Sequence, residues 1–149
     1  MSEENQKVVI QKLSVCLANS YVLYLKTQNY HWNVRGPHFY SLHNLFEEQY
    51  KDLAAAIDEI AERIRALGAS APGSFKAFSV LATLEEAKDE ASANDMLKDL
   101  VESQQHITAC MSETIKAAEE VGDYATADLL TQRLAVHQKN HWMLASSLG

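Results

Sequence analysis

His31, His43, Asp58 and Glu62 are the residues of this 149-residue chain whose types and spacing can do chemistry. Imidazoles with carboxylates, and no thiolate among them, suit iron, manganese or zinc. From His38 to Leu67 there is no Gly or Pro, so a long helix can run there. Wound at about 100° per residue, that helix puts His43, Glu47, Asp58 and Glu62 on one stripe, with Ala54 and Ala61. Phe46, Leu53, Ile57, Ile60, Ile64 and Leu67, with Leu42 close by, form the apolar stripe about 130° away. The ligand stripe therefore faces away from the chain's own core.

Axial distance divides these residues into two halves. His43 and Asp58 are 15 residues apart, roughly 22 Å along a helix, too far to share one ion. His31 lies five residues before Gly36 and His43 seven after it. An antiparallel hairpin turning at Gly36-Pro37 would set the two rings side by side. Asp58 and Glu62 make a second half-site far from them. A two-fold axis near Lys51-Asp52 would bring the histidines of one chain to the carboxylates of another, giving two identical sites per dimer. Each residue alone reads better as a solvated polar group on an amphipathic helix; only the set closes on a two-fold. Within one bundle the usual di-iron signature is Glu-x-x-His, and no histidine here has a Glu three residues before it.

The residues around these positions carry a resemblance. Asn29-Tyr30-His31-Trp32-Asn33-Val34-Arg35-Gly36, Phe39, Leu42-His43, Phe46-Glu47 and Asp58-Glu59-Ile60-Ala61-Glu62-Arg63-Ile64 resemble the Dps family, the miniferritins. So do Gly122-Asp123, Ala125-Thr126-Ala127-Asp128-Leu129-Leu130 and Trp142-Met143-Leu144, and the likeness covers nearly the whole chain. It implies an all-α, ferritin-like four-helix bundle, with a short helix in the long crossover between the second and third helices. It implies a single domain over residues 1–149, two-fold dimers and a dodecameric shell. The activity implied is that of a ferroxidase. Fe(II) is oxidised by hydrogen peroxide at intersubunit centres, and the Fe(III) mineral is stored inside, which protects against oxidative stress. His31 and His43 of one chain and Asp58 and Glu62 of the other would bind iron, with zinc as a substitute. Glu47 falls where the family often has Asp and would reach a second iron. Trp32, beside His31, would quench radicals or simply pack at the helix end. Asp123 and Asp128 match a pore-lining run at the three-fold axis, although Asp123 can equally cap a helix. Glu48, Asp52 and Glu59 would face either the cavity or ordinary solvent. The alternative function is that of a nucleoid protein that compacts DNA during starvation.

Bulk properties bound these readings. Apolar residues make up 47% and charged ones 22% of the chain, which places it among globular domains. No apolar run of membrane length is expected, and Met1 to Gln6 lacks the basic and apolar regions of a signal peptide, which points to the cytoplasm. The net charge of −7 disfavours DNA binding, which needs clustered Lys and Arg. The first twelve residues set Lys7 and Lys12 against Glu3 and Glu4, and the last six carry no basic residue.

The glycines and prolines cut the chain into helical pieces. The first, about Glu4 to Asn33, carries Val9, Leu13, Cys16, Leu17, Tyr21, Tyr24 and Leu25 at helical spacing. The second ends near Leu67-Gly68. Ala69 to Ser74 breaks the chain, and Ser74 to Leu81 is the short apolar piece. The third helix is expected to start at Asn94 as N-cap and to run to Gly122. Asp123 would cap the fourth, with Leu129, Leu130, Leu134 and Trp142. Cys16 and Cys110 read as two buried free thiols. His106 reads as packed, and His137 with His141 as an exposed face or an adventitious metal site.

Overall fold

The computed structural model describes residues 1–149 and contains five helices. They are α1 (Glu3–Asn33), α2 (Phe39–Ala66), α3 (Phe75–Leu81), α4 (Ala93–Glu120) and α5 (Tyr124–Ser146). Each boundary has a local cause. Ser2 caps α1 by accepting from the Asn5 N–H, and Glu3 and Glu4 sit in its first turn. Gly36, at φ +121°, makes the reversal between α1 and α2 in a conformation that L side chains rarely adopt. At the end of α2, Gly68 (φ +100°) lets the Ala69 N–H return to the Ile64 carbonyl. Ser74 caps α3 through the Ala77 N–H. Asp123 caps α5 through the Thr126 N–H, as the sequence suggests. The cap of α4 is Ser92, which accepts from Asp95 N–H, and not Asn94, which already lies inside the helix.

Side-chain pairs fix the topology. Lys26 meets Asp99 and Cys16 meets Cys110, so α1 and α4 run antiparallel. Arg63 meets Asp123 and Asp52 meets Arg133, so α2 and α5 are antiparallel too. With the short α1–α2 and α4–α5 turns, α2 and α4 must then be parallel. That is why a long crossover joins them, and α3, packed on α1, lies in it.

The apolar stripe of α2 is buried as expected: Phe46, Leu53, Ile60 and Ile64 are at most 1% exposed. They pack with Val9, Leu13, Leu17 and Leu23 of α1, Leu100, Ile107 and Met111 of α4, and Leu130 and Leu144 of α5. Burying one such side chain stabilises by about 1.5–3 kcal/mol. Contrary to the sequence expectation, α1 is long and apolar enough to cross a membrane by composition, but half of that stretch is buried inside this bundle. Leu25 also departs from its expected place on the core stripe. It is exposed and lines a groove with Tyr21, Phe75 and Phe78, while Leu23 takes the core position.

Candidate metal centre

Two helix ends build the first half-site. His31 lies in the last turn of α1 and His43 near the start of α2, and the Gly36 reversal folds them together. Their rings stack with centroids 3.8 Å apart and planes 16° from parallel. Each Nδ1 lies 2.7 Å from the other residue's backbone carbonyl. A carbonyl only accepts, so each Nδ1 carries the proton and donates, and in the neutral ring Nε2 keeps its lone pair. Neither Nε2 has a partner, and both reach the surface. This is the arrangement a ligating histidine requires: the far nitrogen is tied down and the near one is free. Phe39 stacks on His43 at 5.0 Å, and Tyr50 meets His31 edge-on at 5.2 Å, so the rings are held by packing as well as by hydrogen bonds.

Glu47, one turn after His43, is half-buried and ion-paired to Lys51 at 2.8 Å. The Lys51 hydrogen bond and charge hold its carboxyl below the usual range, and the two imidazoles add to that effect. Asp58 and Glu62 are exposed, sit one turn apart and make no ion pair within the chain. Along an unbroken α2, Asp58 remains roughly 22 Å and Glu62 roughly 28 Å from His43. No three His, Cys, Asp or Glu side chains converge within one chain.

The remaining predicted positions divide. Trp32 is 59% exposed, so packing at the helix end does not hold it. Asp123 is buried, caps α5 and accepts from Arg63 at 2.8 Å. Burial alone would raise its pKa, but the Thr126 hydrogen bonds and the Arg63 charge outweigh that and hold it low. Asp123 is thus committed inside the subunit, and Asp128, exposed and bonded to Gln132, is the carboxylate left at that end. Glu48 and Glu59 are exposed, whereas Asp52 is engaged by Arg133 at 2.9 Å. His106 is exposed, not packed, because α4 turns it toward the crossover, where Nε2 meets Thr83 Oγ1 at 2.7 Å. His137 is fully buried rather than on an exposed face, since it points between α4 and α5 at Gln104. Cys110 is only half-buried, so the expectation of two buried thiols holds for Cys16 alone.

Sequence reading missed one polar cluster. Lys26, inside the bundle, reaches Asp99 at 3.3 Å and Ser103 at 2.9 Å, and Tyr30 donates to Asp99 at 2.6 Å. Burial pushes Lys26 down, with Asp99 opposing, and burial followed by Asp99 pushes the Tyr30 phenol up. A lone lysine within the apolar stretch of α1 was the available signal.

Against this geometry stand the comparisons with known proteins. A family model described as a ferritin-like domain matches residues 10–149. An uncharacterized low temperature-induced protein of Nostoc sp. is 42% identical, over 98% of this chain and 83% of its own length. The crystal structure of a Dps protein from Bacillus brevis superposes with a TM-score of 0.94 at 36% identity, covering 98% of each chain. The Dps structure from Vibrio cholerae, described as a member of a broad superfamily of ferritin-like diiron-carboxylate proteins, gives 0.94 at 32% identity, covering 98% of this chain and 92% of its own. The fold and these matches define a ferritin-like protein. The chain belongs to the Dps family within that class.

Proposed function

We propose that this protein is a ferroxidase and iron store, and that its centre is completed by a second copy. The observation that carries this reading is the locked pair of histidines: two Nε2 lone pairs presented at the surface, with no third ligand in the same chain. A two-fold axis near Lys51-Asp52 sets these against Asp58 and Glu62 of the partner subunit, and the small, exposed Ala54 allows the two helices to approach closely, whereas Ala61, expected on the same stripe, packs partly against the chain's own core. The surface beside the pair fits such burial, because Trp32, Phe39 and Tyr40, which flank the two histidines in sequence, are all exposed in the single chain.

The donor set fits iron as substrate. His31 and His43 bring neutral donors, and Asp58 and Glu62 bring charge that favours the higher oxidation state. Two Fe(II) ions give up one electron each, one hydrogen peroxide accepts both, and with two protons it leaves as two waters. Glu47 can reach a second iron once its Lys51 contact is exchanged. Trp32 is placed to intercept stray radicals. Dimers of this kind assemble into a dodecameric, cytoplasmic shell, which Fe(II) enters past Asp128. Relatives named for DNA protection during starvation raise the second reading of direct DNA contact, but the net charge of −7 opposes it.

Complementation tests the shared site. His43→Ala and Asp58→Ala should each abolish rapid peroxide-driven Fe(II) oxidation. When the two variants are unfolded and reassembled together, random pairing makes half of the dimers mixed. Each mixed dimer holds one doubly damaged and one intact site, so about a quarter of all sites should recover. No recovery, with mixed dimers confirmed by mass spectrometry, would falsify the two-fold site.

A further inference from the structure

A second reactive site lies within the bundle, away from the histidine pair. Cys16 and Cys110 are 94 positions apart in sequence, yet α1 and α4 bring their sulfurs to 3.4 Å. We propose that Cys16 and Cys110 form a peroxide-reactive dithiol that closes to a reversible disulfide linking α1 to α4.

The two sulfurs are unequal in the way such a dithiol needs. Cys110 is half-buried and open to a small oxidant, whereas Cys16 is fully buried. Cys110 Sγ accepts from the Asn19 side-chain amide at 3.6 Å and lies 3.4 Å from the Cys16 thiol, which donates to it once Cys110 is a thiolate; both contacts favour that thiolate. The Cys16 hydrogen bond is the larger cause that pushes the Cys110 thiol down, with Asn19 adding to it, while the contact with Cys110 and burial push Cys16 up. Cys16 Sγ also lies 3.3 Å from Thr114 Oγ1, which keeps it beside Cys110. Asn19 is itself fixed, because its carbonyl oxygen accepts from the Thr83 and Leu84 N–H groups of the crossover.

The chemistry balances with a hydroperoxide as oxidant. The Cys110 thiolate attacks one peroxide oxygen, the O–O bond breaks, and Cys110 becomes a sulfenic acid as hydroxide leaves and takes up a proton. Cys16 then attacks the Cys110 sulfur, its proton goes with the departing hydroxyl as water, and the S–S bond forms. Two thiols and one hydrogen peroxide thus give one disulfide and two waters. A dithiol reductant restores the pair by exchange. The sulfurs must approach by more than an ångström to bond, since a disulfide is about 2.05 Å long. Cys110, the less buried residue, is the one whose sulfur is freer to move.

The test uses assembled, iron-free protein with chelator present, so ferroxidase activity plays no part and failure of one reading leaves the other standing. Hydrogen peroxide is added in slight excess, the protein is denatured with an alkylating reagent, and intact mass and peptides are measured. The expected result is loss of two hydrogens per chain, a Cys16–Cys110 linked peptide, and full recovery of both thiols with dithiothreitol. Cys110→Ser should slow thiol loss by about tenfold or more. Cys16→Ser should leave a sulfenic acid on Cys110 that a dimedone probe captures. Both thiols still alkylatable in the wild-type protein, or Cys110→Ser reacting at the wild-type rate, would overturn the proposal. The wild-type peptide map stands even if a variant fails to assemble.

Discussion

His137 should make the protein lose stability in mild acid. Its Nδ1–H donates to Gln104 Oε1 at 2.8 Å, and its Nε2 accepts from Arg133 Nη2 at 3.2 Å. A proton on Nε2 would displace that hydrogen bond and set two cations against each other inside the bundle. Burial first, and Arg133 second, push its pKa down to about 3 from an ordinary value near 6.5. The folded chain therefore stays neutral at a pH where the unfolded chain takes up a proton. The contribution is fully present above about pH 6.5 and is lost as pH falls toward the folded value, by roughly 1.4 kcal/mol per pH unit per chain. Between about pH 6.5 and 4.5 that amounts to roughly 3 kcal/mol, or about 5–10 °C in melting temperature for a chain of this size. His137→Gln cannot titrate, so comparison with it cancels every other acid-sensitive group. Calorimetry of both proteins at equal subunit concentration should show the wild type ahead at neutral pH, by about 1–3 kcal/mol for the lost hydrogen bonds. That lead should shrink and then vanish on acidification. Melting curves that stay a constant distance apart down to about pH 4.5 would refute a buried, neutral His137.

Asp123→Ala removes the α5 cap and takes the ion-pair partner from Arg63, which keeps its hydrogen bond to Thr126 Oγ1, and should cost about 2 kcal/mol in urea unfolding. Because Asp123 is held low in the folded chain, the wild-type advantage should be present above the ordinary carboxylate range and fade as pH drops through and below it. Plasmid DNA should run unretarded with the assembled protein at physiological salt and neutral pH. Retardation that weakens steeply with added salt would show a basic patch formed only by assembly.

What the sequence determined by itself was everything governed by local order. Caps and glycines set the helix ends, because Ser2, Ser74 and Asp123 satisfy N–H groups only a few residues away and Gly36 and Gly68 take backbone angles other residues avoid. The three-to-four-residue repeat of apolar side chains on α2 fixed which face is buried, and with it the separate, outward stripe that carries Asp58 and Glu62. The histidine pair was legible for the same reason: with one tight turn at Gly36, similar distances of five and seven residues along two antiparallel helices bring His31 and His43 together whatever the rest of the chain does. One near miss was also local: Asn94 and Ser92 both suit a cap, and Ser92 takes the role by accepting from the Asp95 N–H.

Tertiary structure alone decided the contacts across the bundle. Cys16 meets Cys110 and Lys26 meets Asp99 because the long crossover returns α4 antiparallel to α1 in one particular register. A shift of one residue would turn every α4 side chain by about 100° and separate both pairs. The packing of α5 on α4 buries His137 against Gln104, and that of the crossover on α4 leaves His106 exposed at Thr83, although each histidine looks alike in a helical stretch of sequence. Local pattern says which face of a helix is apolar. It does not say which polar residue on the edge of that face will meet a partner, since that depends on the rotation and axial offset of two helices settled by all of their packed side chains together.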